Sequence, residues 1–376
     1  MLKVLTVLGT RPEIIRLSRV MARLDAHPDI RHVLAHTGQN YDRELNAIFF
    51  EEMGVRPPDH VMNVDTSSLG ATLGDVLRKS EAVMLAEKPD ALLVLGDTNS
   101  ALAAIMARRL HIPIYHMEAG NRSFDANVPE EANRRIVDHT ADFNLVYTER
   151  ARQHLLSEGL PHRKIYLTGS PMFEVLEHHR EQIAASSILG ELGLQKKSYF
   201  LVSLHREENV DYPDNLRALV QILTDLHAEY GIPIVVSTHP RTRKRLVELG
   251  YDLETIAGCR FLKPFGFLDY NALQISAKCV LSDSGTISEE SAILHFPAVT
   301  VRNSMERPEA LDAGTIVISG LSSGSVQAAV RTQIASGTAP PPPEYLVDNT
   351  SERVVKLIVG TAGLAARWDN LLPRSR

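Results

Sequence analysis

Residues 283–290, with the sequence DSGTISEE, lie one residue after the apolar run 279–281. Small residues between a strand and a helix let the backbone approach a ligand closely, and the helix N-terminus directs unpaired N–H groups toward an anion. The segment therefore predicts a diphosphate cradle formed by Ser284, Gly285 and Thr286. A plain strand-to-helix loop with Ser284 as the helix N-cap fits the local pattern equally well.

Three carboxylates of the first half follow predicted strands or begin a predicted helix: Asp97 in GDTNS, Glu118 in HMEAG and Glu131 in PEEANRR. Carboxylates crowded in a partly dry pocket raise one another's pKa and become acids and bases usable near neutrality. Asp97 could instead cap the following helix, and Glu131 could pair with Arg135 one turn later. Glu118 has no such alternative and is the strongest candidate for proton transfer.

Two histidines and one arginine also follow predicted strands. His205 closes the run 199–204, His239 closes the next strand, and Arg11 lies in GTRPE after the first strand. Such groups can bind or protonate an anionic leaving group, although Arg11 could also be a solvated loop residue. GTRPE is not a GxGxxG fingerprint, and no HxxxH or DxD spacing recurs near these residues. We therefore expect no cofactor and no metal.

The elements that position these residues alternate between short apolar runs and longer helical patterns. Runs without alternating polarity are typical of parallel strands covered by helices on both faces. The pattern predicts an α/β fold of two doubly wound, Rossmann-like domains. The predicted strands are 2–8, 32–36, 91–95, 112–117, 143–147 and 164–168, followed by 199–204, 232–237, 260–262, 279–281, 297–301 and 315–319.

We expect an N-terminal domain over 1–185 that carries the carboxylates and a second domain over 198–350, with a linker within 183–197. Ser351 is the predicted N-cap of a last helix, within 351–376, that returns to the first domain. In open α/β sheets, ligands bind beyond the carboxyl ends of the strands. Two such sheets facing one cleft predict a site that draws on both domains.

Composition limits the possible functions. The chain has 376 residues and a net charge of −6, which argues against a general binder of nucleic acid or membrane surfaces. Its two cysteines, Cys259 and Cys279, support neither a disulfide framework nor a structural zinc site. The first nine residues predict a buried strand rather than a signal sequence, and no run is long enough to span a membrane. We expect a cytoplasmic protein.

Eight ordered motifs together resemble the non-hydrolysing UDP-N-acetylglucosamine 2-epimerase family, over nearly the whole chain. They are GTRPE, HTGQNYD (36–42), GDTNS, HMEAG, PEEANRRIVDH (129–139), HREEN (205–209), DSGTISEE and ERPEA (306–310). The resemblance implies the glycosyltransferase-B architecture, a UDP-sugar substrate and a homodimer. It also implies elimination of UDP to a glycal and re-addition with inversion at carbon 2.

The family's site residues transfer to this sequence motif by motif. Asp97, Glu118 and Glu131 become the acid/base candidates, and His205 and Arg11 stabilise the departing diphosphate together with the N–H groups of 284–286. Glu290 is implied to hold the ribose and Tyr270 to lie beside the uracil. Arg16, His239 and Arg307 complete the implied UDP-sugar contacts.

The sequence departs from the common form of the family at several places. Arg16 replaces an active-site lysine, residues 121–125 are NRSFD where Leu-Arg-Thr is usual, and Thr286 replaces a second glycine. These features resemble the branch that converts UDP-2-acetamido-2,6-dideoxy-L-talose to UDP-N-acetyl-L-fucosamine for capsule or O-antigen synthesis. A UDP-N-acetylglucosamine 2-epimerase, a glycosyltransferase of the same fold and a non-catalytic nucleotide-sugar sensor remain alternatives.

Overall fold

A computed structural model describes residues 1–38, 43–125, 127–337 and 339–368 of the chain. Residues 39–42, the last four of the HTGQNYD motif, lie outside the described residues. The chain divides into unit 1, Met1–Glu177 with Leu346–Arg376, and unit 2, His178–Tyr345. Among the described residues, no helix combines the length and apolar character that crossing a membrane requires.

Unit 1 contains a parallel sheet of seven strands in the order β3-β2-β1-β4-β5-β6-β7. Its central strands are mostly apolar and largely buried, as expected of strands whose two faces are covered by helices. The strands are β1 (Leu2–Leu8), β2 (Ile30–His36), β3 (His60–Val61), β4 (Ala91–Leu95), β5 (Ile114–Met117), β6 (Phe143–Val146) and β7 (Ile165–Leu167).

The helices of unit 1 connect consecutive strands and supply the covering layers. The last helix, after unit 2, packs against the first. They are α1 (Arg11–Ala26), α2 (Arg43–Glu52), α3 (Leu69–Glu87), α4 (Ala103–Arg109), α5 (Pro129–Thr140), α6 (Glu149–Ser157), α7 (Met172–His178) and, near the end of the chain, α17 (Thr350–Trp368).

Unit 2 contains a parallel sheet of six strands in the order β10-β9-β8-β11-β12-β13. Apolar residues of its strands and helices, such as Phe200, Leu223 and Leu281, form one buried cluster. The strands are β8 (Phe200–Ser203), β9 (Ile234–Ser237), β10 (Cys259–Leu262), β11 (Cys279–Ser282), β12 (Ala298–Thr300) and β13 (Val317–Ile318).

The helices of unit 2 again alternate with strands. Two short ones lie at or near the segment predicted as a linker, 183–197: α8 overlaps its start and α9 lies within it. The helices are α8 (Arg180–Ala184), α9 (Ile188–Glu191), α10 (Glu207–Val210), α11 (Pro213–Tyr230), α12 (Pro240–Glu248), α13 (Phe267–Ser276), α14 (Ile287–Leu294), α15 (Glu309–Asp312) and α16 (Ser323–Ser336).

The prediction of an α/β protein with two parallel sheets is confirmed, and all twelve predicted strands are present. The two-residue strand β3 was not predicted because a pair of residues carries no periodic signal. Two predicted helix starts are wrong. Helix α14 begins at Ile287, so Ser284 is not its N-cap, and α17 begins at Thr350, so Ser351 lies inside its first turn.

Candidate active site

Four of the predicted site residues follow the strands at which each sheet reverses its strand order. In unit 1, β1 lies between β2 and β4, and in unit 2, β8 lies between β9 and β11. Ligands of doubly wound sheets bind at this switch point, beyond the carboxyl ends of the strands. Arg11 and Asp97 follow β1 and β4, whereas His205 and Ser284 follow β8 and β11.

In unit 1, two arginines join two of the predicted carboxylates. Arg16 of α1 forms an ion pair with Glu118 through Nη1 and Oε2, and Arg134 of α5 lies 3.3 Å from Glu118 Oε1. The Arg134 atom near Glu118 is Nη2, and this atom also forms an ion pair with Asp97 Oδ2. Arg134 therefore joins the two carboxylates, and its charge is complementary to both. The residue that directly precedes the short 3-10 helix Asn99–Leu102 is Thr98.

The turn after β5 is built to present Glu118. Its φ of 64° is a left-handed conformation that is uncommon outside glycine and asparagine. Two residues later, Gly120 has a φ of 77°, and a Cβ there would lie 2.4 Å from the Ala151 carbonyl oxygen. Across the sheet, Gly96 leaves space beside the Glu118 carboxylate, since a Cβ at Gly96 would lie 3.6 Å from Oε1. Close packing thus determines where Glu118 points.

Glu131 is held by different partners. Its Oε2 accepts hydrogen bonds from the Ser123 amide at 2.8 Å and the Ser123 hydroxyl at 3.0 Å. Its Oε1 accepts from Arg135 Nε at 3.0 Å, so the predicted pairing within α5 is present. Arg135 also binds Glu158, whose pKa is lowered to about 2 because it accepts hydrogen bonds from Arg122. Glu131 is therefore fixed to the segment 121–125.

The two predicted arginine ligands of α1 differ in environment. Arg16 is buried, with 2% of its side chain exposed, and its guanidinium carbon also lies 5.9 Å from the centre of the Tyr147 ring. Arg11 is partly exposed and lies 5.5 Å from the centre of the Phe49 ring. Arg16 is thus a partner of Glu118 in this structure, whereas Arg11 is the more accessible cation.

Glu13 is a buried carboxylate that sequence reasoning missed as a site residue. Its Oε2 accepts the N–H groups of Gly9 and Thr10 at 3.0 and 2.8 Å, and its Oε1 accepts the Ser100 hydroxyl. Burial raises its pKa to about 6, although these hydrogen bonds act in the opposite direction. The T-x-x-E spacing of Thr10 and Glu13 is a capping-box signal that could have identified it. Glu13 connects the turn after β1 to the turn after β4.

In unit 2, Asp283 connects the turns after β8 and β11, as Glu13 connects two turns in unit 1. Sequence reasoning did not identify Asp283 as a site residue either. It is fully buried and accepts the N–H groups of His205 and Arg206 at 3.0 Å, as well as the Asn209 side-chain amide at 3.0 Å. His205 Nδ1 lies 3.3 Å from Asp283 Oδ1. Asp283 therefore places His205, which is 42% exposed, next to the predicted diphosphate loop.

The segment 284–286 lies between β11 and α14. Ser284 Oγ accepts a hydrogen bond from the Thr286 amide at 3.3 Å and lies 3.0 Å from Thr286 Oγ1. The Gly285 carbonyl accepts a hydrogen bond from Arg307 Nη1 at 2.6 Å, and Arg307 Nε lies 3.4 Å from the buried Glu289. A small concavity here is lined by 284, 285 and 307 among other residues. The structure thus brings Arg307 to the predicted phosphate loop.

The remaining predicted residues of unit 2 lie around this loop. The His239 ring centre is 6.3 Å from that of His205, and its Nδ1 accepts the Arg241 amide at 3.2 Å, so it caps α12. Glu290 is buried and accepts a hydrogen bond from Gln274 at 2.8 Å. Burial raises the pKa of Tyr270, and the charge of nearby Glu290 acts in the same direction.

Within the described ranges, no group of three or more His, Cys, Asp or Glu side chains is placed to hold a metal ion. The polar groups of both units are instead ion pairs and backbone hydrogen bonds. Their arrangement suits proton transfer by carboxylates in unit 1 and anion binding in unit 2.

Comparison with known proteins identifies similar chains. The family model described as UDP-N-acetylglucosamine 2-epimerase matches residues 22–359. A Rickettsia bellii structure titled as UDP-N-acetylglucosamine 2-epimerase is 44% identical, with a TM-score of 0.90 and 98% of each chain covered. A Methanocaldococcus jannaschii UDP-GlcNAc 2-epimerase, solved with UDP-GlcNAc and UDP, is 33% identical, with a TM-score of 0.89, 96% of this chain and 100% of the other being covered.

A Pseudomonas aeruginosa relative has a different named substrate. It is a UDP-2,3-diacetamido-2,3-dideoxy-D-glucuronate 2-epimerase, 34% identical over 337 residues, which are 89% of this chain and 92% of the relative. Similar chains thus act at carbon 2 of more than one UDP-sugar.

Proposed function

The chain belongs to the UDP-N-acetylglucosamine 2-epimerase family, and on that basis we propose that it converts UDP-2-acetamido-2,6-dideoxy-L-talose to UDP-N-acetyl-L-fucosamine. It is a UDP-sugar 2-epimerase and therefore an isomerase. The proposal that the substrate is a 6-deoxy sugar is more specific than the reaction class. It rests on Arg16, on the segment 121–125 and on Thr286, where the sequence departs from the common form.

Elimination solves the main chemical difficulty of this reaction. Carbon 2 has no adjacent carbonyl, so removing its proton directly would leave an unstabilised carbanion. A base that takes the C2 proton while the C1–O bond to UDP breaks gives a glycal and UDP. Re-addition of UDP, with a proton delivered by a second group to the other face of C2, completes the inversion. The first group is then protonated and the second deprotonated, and proton exchange with water returns both to their starting states.

The observation that carries the proposal is the pair of carboxylates linked by Arg134 in unit 1. Asp97 and Glu118 end neighbouring strands and share one guanidinium group. We assign proton transfer at C2 to Glu118, Asp97 and Glu131, with the division between the two faces left to experiment. Their fixed positions suit a reaction in which proton transfer depends on geometry.

Unit 2 supplies the groups for the leaving diphosphate. Negative charge develops on UDP as the C1–O bond breaks, and donors aimed at that charge lower the barrier. We assign this role to His205, the amides of 284–286 and Arg307, with Arg11 from unit 1. Glu290 is assigned to the ribose, and Tyr270 and His239 to the uridine side.

A UDP-N-acetylglucosamine 2-epimerase is the second candidate, because two similar solved structures carry that name. The two candidates share every proposed chemical step and differ in the sugar. We further propose a cytoplasmic homodimer whose product enters capsule or O-antigen assembly.

Proton NMR in D₂O separates the candidates. The protein is incubated with UDP-2-acetamido-2,6-dideoxy-L-talose and, in a parallel tube, with UDP-N-acetylglucosamine. Deuterium entering C2 of the first sugar, with the L-fuco epimer appearing, supports the proposal. Exchange in the parallel tube alone overturns the substrate but keeps the chemistry. Exchange in neither tube contradicts both candidates.

A further inference from the structure

His116 is a fully buried histidine at the end of β5, two residues before Glu118. Its Nε2 lies 2.7 Å from the carbonyl oxygen of Gly96, the residue before Asp97. A carbonyl oxygen can only accept a hydrogen bond, so Nε2 carries the hydrogen. The side chain thereby joins the turn after β5 to the turn after β4.

The other ring nitrogen of His116 faces Asp138 of α5. Nδ1 lies 2.9 Å from Asp138 Oδ1, a close polar contact without the alignment of a good hydrogen bond. Burial alone would raise the pKa of Asp138, but the contacts with His116 and Arg122 outweigh it and hold that pKa below its usual value. Arg122 Nη1 lies 2.7 Å from Asp138 Oδ2. Asp138 therefore lies between the His116 ring and the Arg122 guanidinium.

Asp138 also holds the backbone beyond Glu118. The Gly120 amide donates to Asp138 Oδ1 and Oδ2 at 3.2 and 3.3 Å. Gly120 has a positive φ and no space for a Cβ, so a larger residue could not take its place without moving this turn. The turn that carries Glu118 is consequently held from His116 on one side and from Gly120 on the other, both through Asp138.

We infer that His116 and Asp138 are a positioning pair that fixes the separation of Asp97 and Glu118. The inference rests on the proposed proton-transfer roles of those two carboxylates. Neither His116 nor Asp138 has any exposed surface, so neither side chain touches the substrate. They act on the reaction only through the turns that they hold, where a displacement of 1 Å can cost on the order of 100-fold in rate.

Two substitutions of His116 separate its contacts. The shorter His116→Asn offers an amide near the Nδ1 position and loses the link to Gly96. The longer His116→Gln offers an amide near Nε2 and keeps that link. If the link to Gly96 positions Asp97, H116N lowers kcat about 100-fold with an unchanged KM, and H116Q recovers at least tenfold of that loss.

His32 provides a matched control in the same sheet. It is a buried histidine of β2 that also joins an aspartate to a neighbouring group, with Nδ1 2.8 Å from Asp25 Oδ1 and Nε2 2.9 Å from Thr6 Oγ1. His32→Asn removes a contact between a buried histidine and an aspartate that is 32% exposed, and His32 contacts neither of the two turns. We expect H32N to lower the melting temperature, while kcat stays within a few-fold of the parent value.

The test measures kcat, KM, UDP affinity and thermal unfolding for the parent and the three variants. Equal kcat losses in H116N and H32N, or a raised KM at constant kcat, overturn the positioning role. If H116N does not fold, Asp138→Asn replaces it, since the asparagine oxygen can still accept from Gly120 while the charge is lost. D138N with the parent's kcat also contradicts the inference. Failure of the parent itself to exchange C2 hydrogen in any UDP-sugar would instead contradict the proposed function.

Discussion

Glu118 and Arg16 form a buried ion pair across 102 positions of the chain, with 7% and 2% of their side chains exposed. Burying either charge alone would cost several kcal/mol, so each group depends on the other. Arg134 adds a second cation to Glu118. The strongest candidate for proton transfer is thus also a structural centre of unit 1, and experiments on it must separate the two roles.

Glu118→Gln is expected to lower kcat by roughly 10²–10⁴-fold, because the amide keeps the shape of the side chain but cannot take a proton from C2. Affinity for UDP should be unchanged. The matched control is Asp142→Asn, which removes another mostly buried carboxylate of unit 1, paired with Arg108 at 2.5 Å. Steady-state kinetics and thermal unfolding of both variants check the prediction. Similar kcat values in E118Q and D142N would show that Glu118 does not transfer a proton in the reaction.

Arg16→Lys tests the substrate assignment. Lysine keeps the charge next to Glu118 but replaces a planar fork by a single ammonium group. We expect the variant to fold and its kcat/KM for the 6-deoxy-L-talose substrate to fall about tenfold. This loss equals one charge-assisted hydrogen bond of ~1.5 kcal/mol. We also expect the substrate preference to move toward UDP-N-acetylglucosamine. Competition between the two sugars, followed by NMR, measures the ratio. An unchanged ratio means that Arg16 does not select the sugar.

The sequence predicted both sheets because apolar runs and helical patterns are local signals. It also predicted that Glu118 directly follows a buried strand, because the apolar run and the carboxylate after it are adjacent in the sequence. It did not predict that Arg16 and Arg134 would be its partners, because that pairing depends on how α1 and α5 pack against the sheet. Asp283 was not predicted for the same reason: the three residues that donate hydrogen bonds to it are more than 70 positions away in the chain.

Glu13 should give unit 1 a distinct pH dependence. Its pKa is raised by burial from 4.5 to about 6, so the folded state binds the proton more tightly than the unfolded state does. The stability contribution of Glu13 is therefore greatest below pH 4.5 and is lost as the pH rises through 6, by ~2 kcal/mol in total. Glu13→Gln removes this pH dependence of the free energy of unfolding, and it also loses part of the hydrogen bonding at every pH. Urea unfolding of parent and variant between pH 4 and 7 gives the difference, and parallel curves would contradict the prediction.

Gly285→Ala is expected to weaken UDP binding through Arg307. A Cβ at Gly285 would lie 2.7 Å from Arg307 Nη1, so the guanidinium must move and its hydrogen bond to the Gly285 carbonyl must lengthen. The backbone of Gly285 has no positive φ, so the change acts through this contact and not through strain.

The matched control for this substitution is Gly324→Ala in α16, where a Cβ would meet nothing within 4 Å. Because a charge-assisted contact contributes about 1.5–3 kcal/mol, calorimetry should show the Kd for UDP rising by roughly 10- to 100-fold in G285A. G324A should bind UDP as the parent does and unfold at the same temperature or slightly higher, since alanine is the better helix former. Equal affinities in the two variants would show that Arg307 does not contribute to UDP binding from its position beside Gly285.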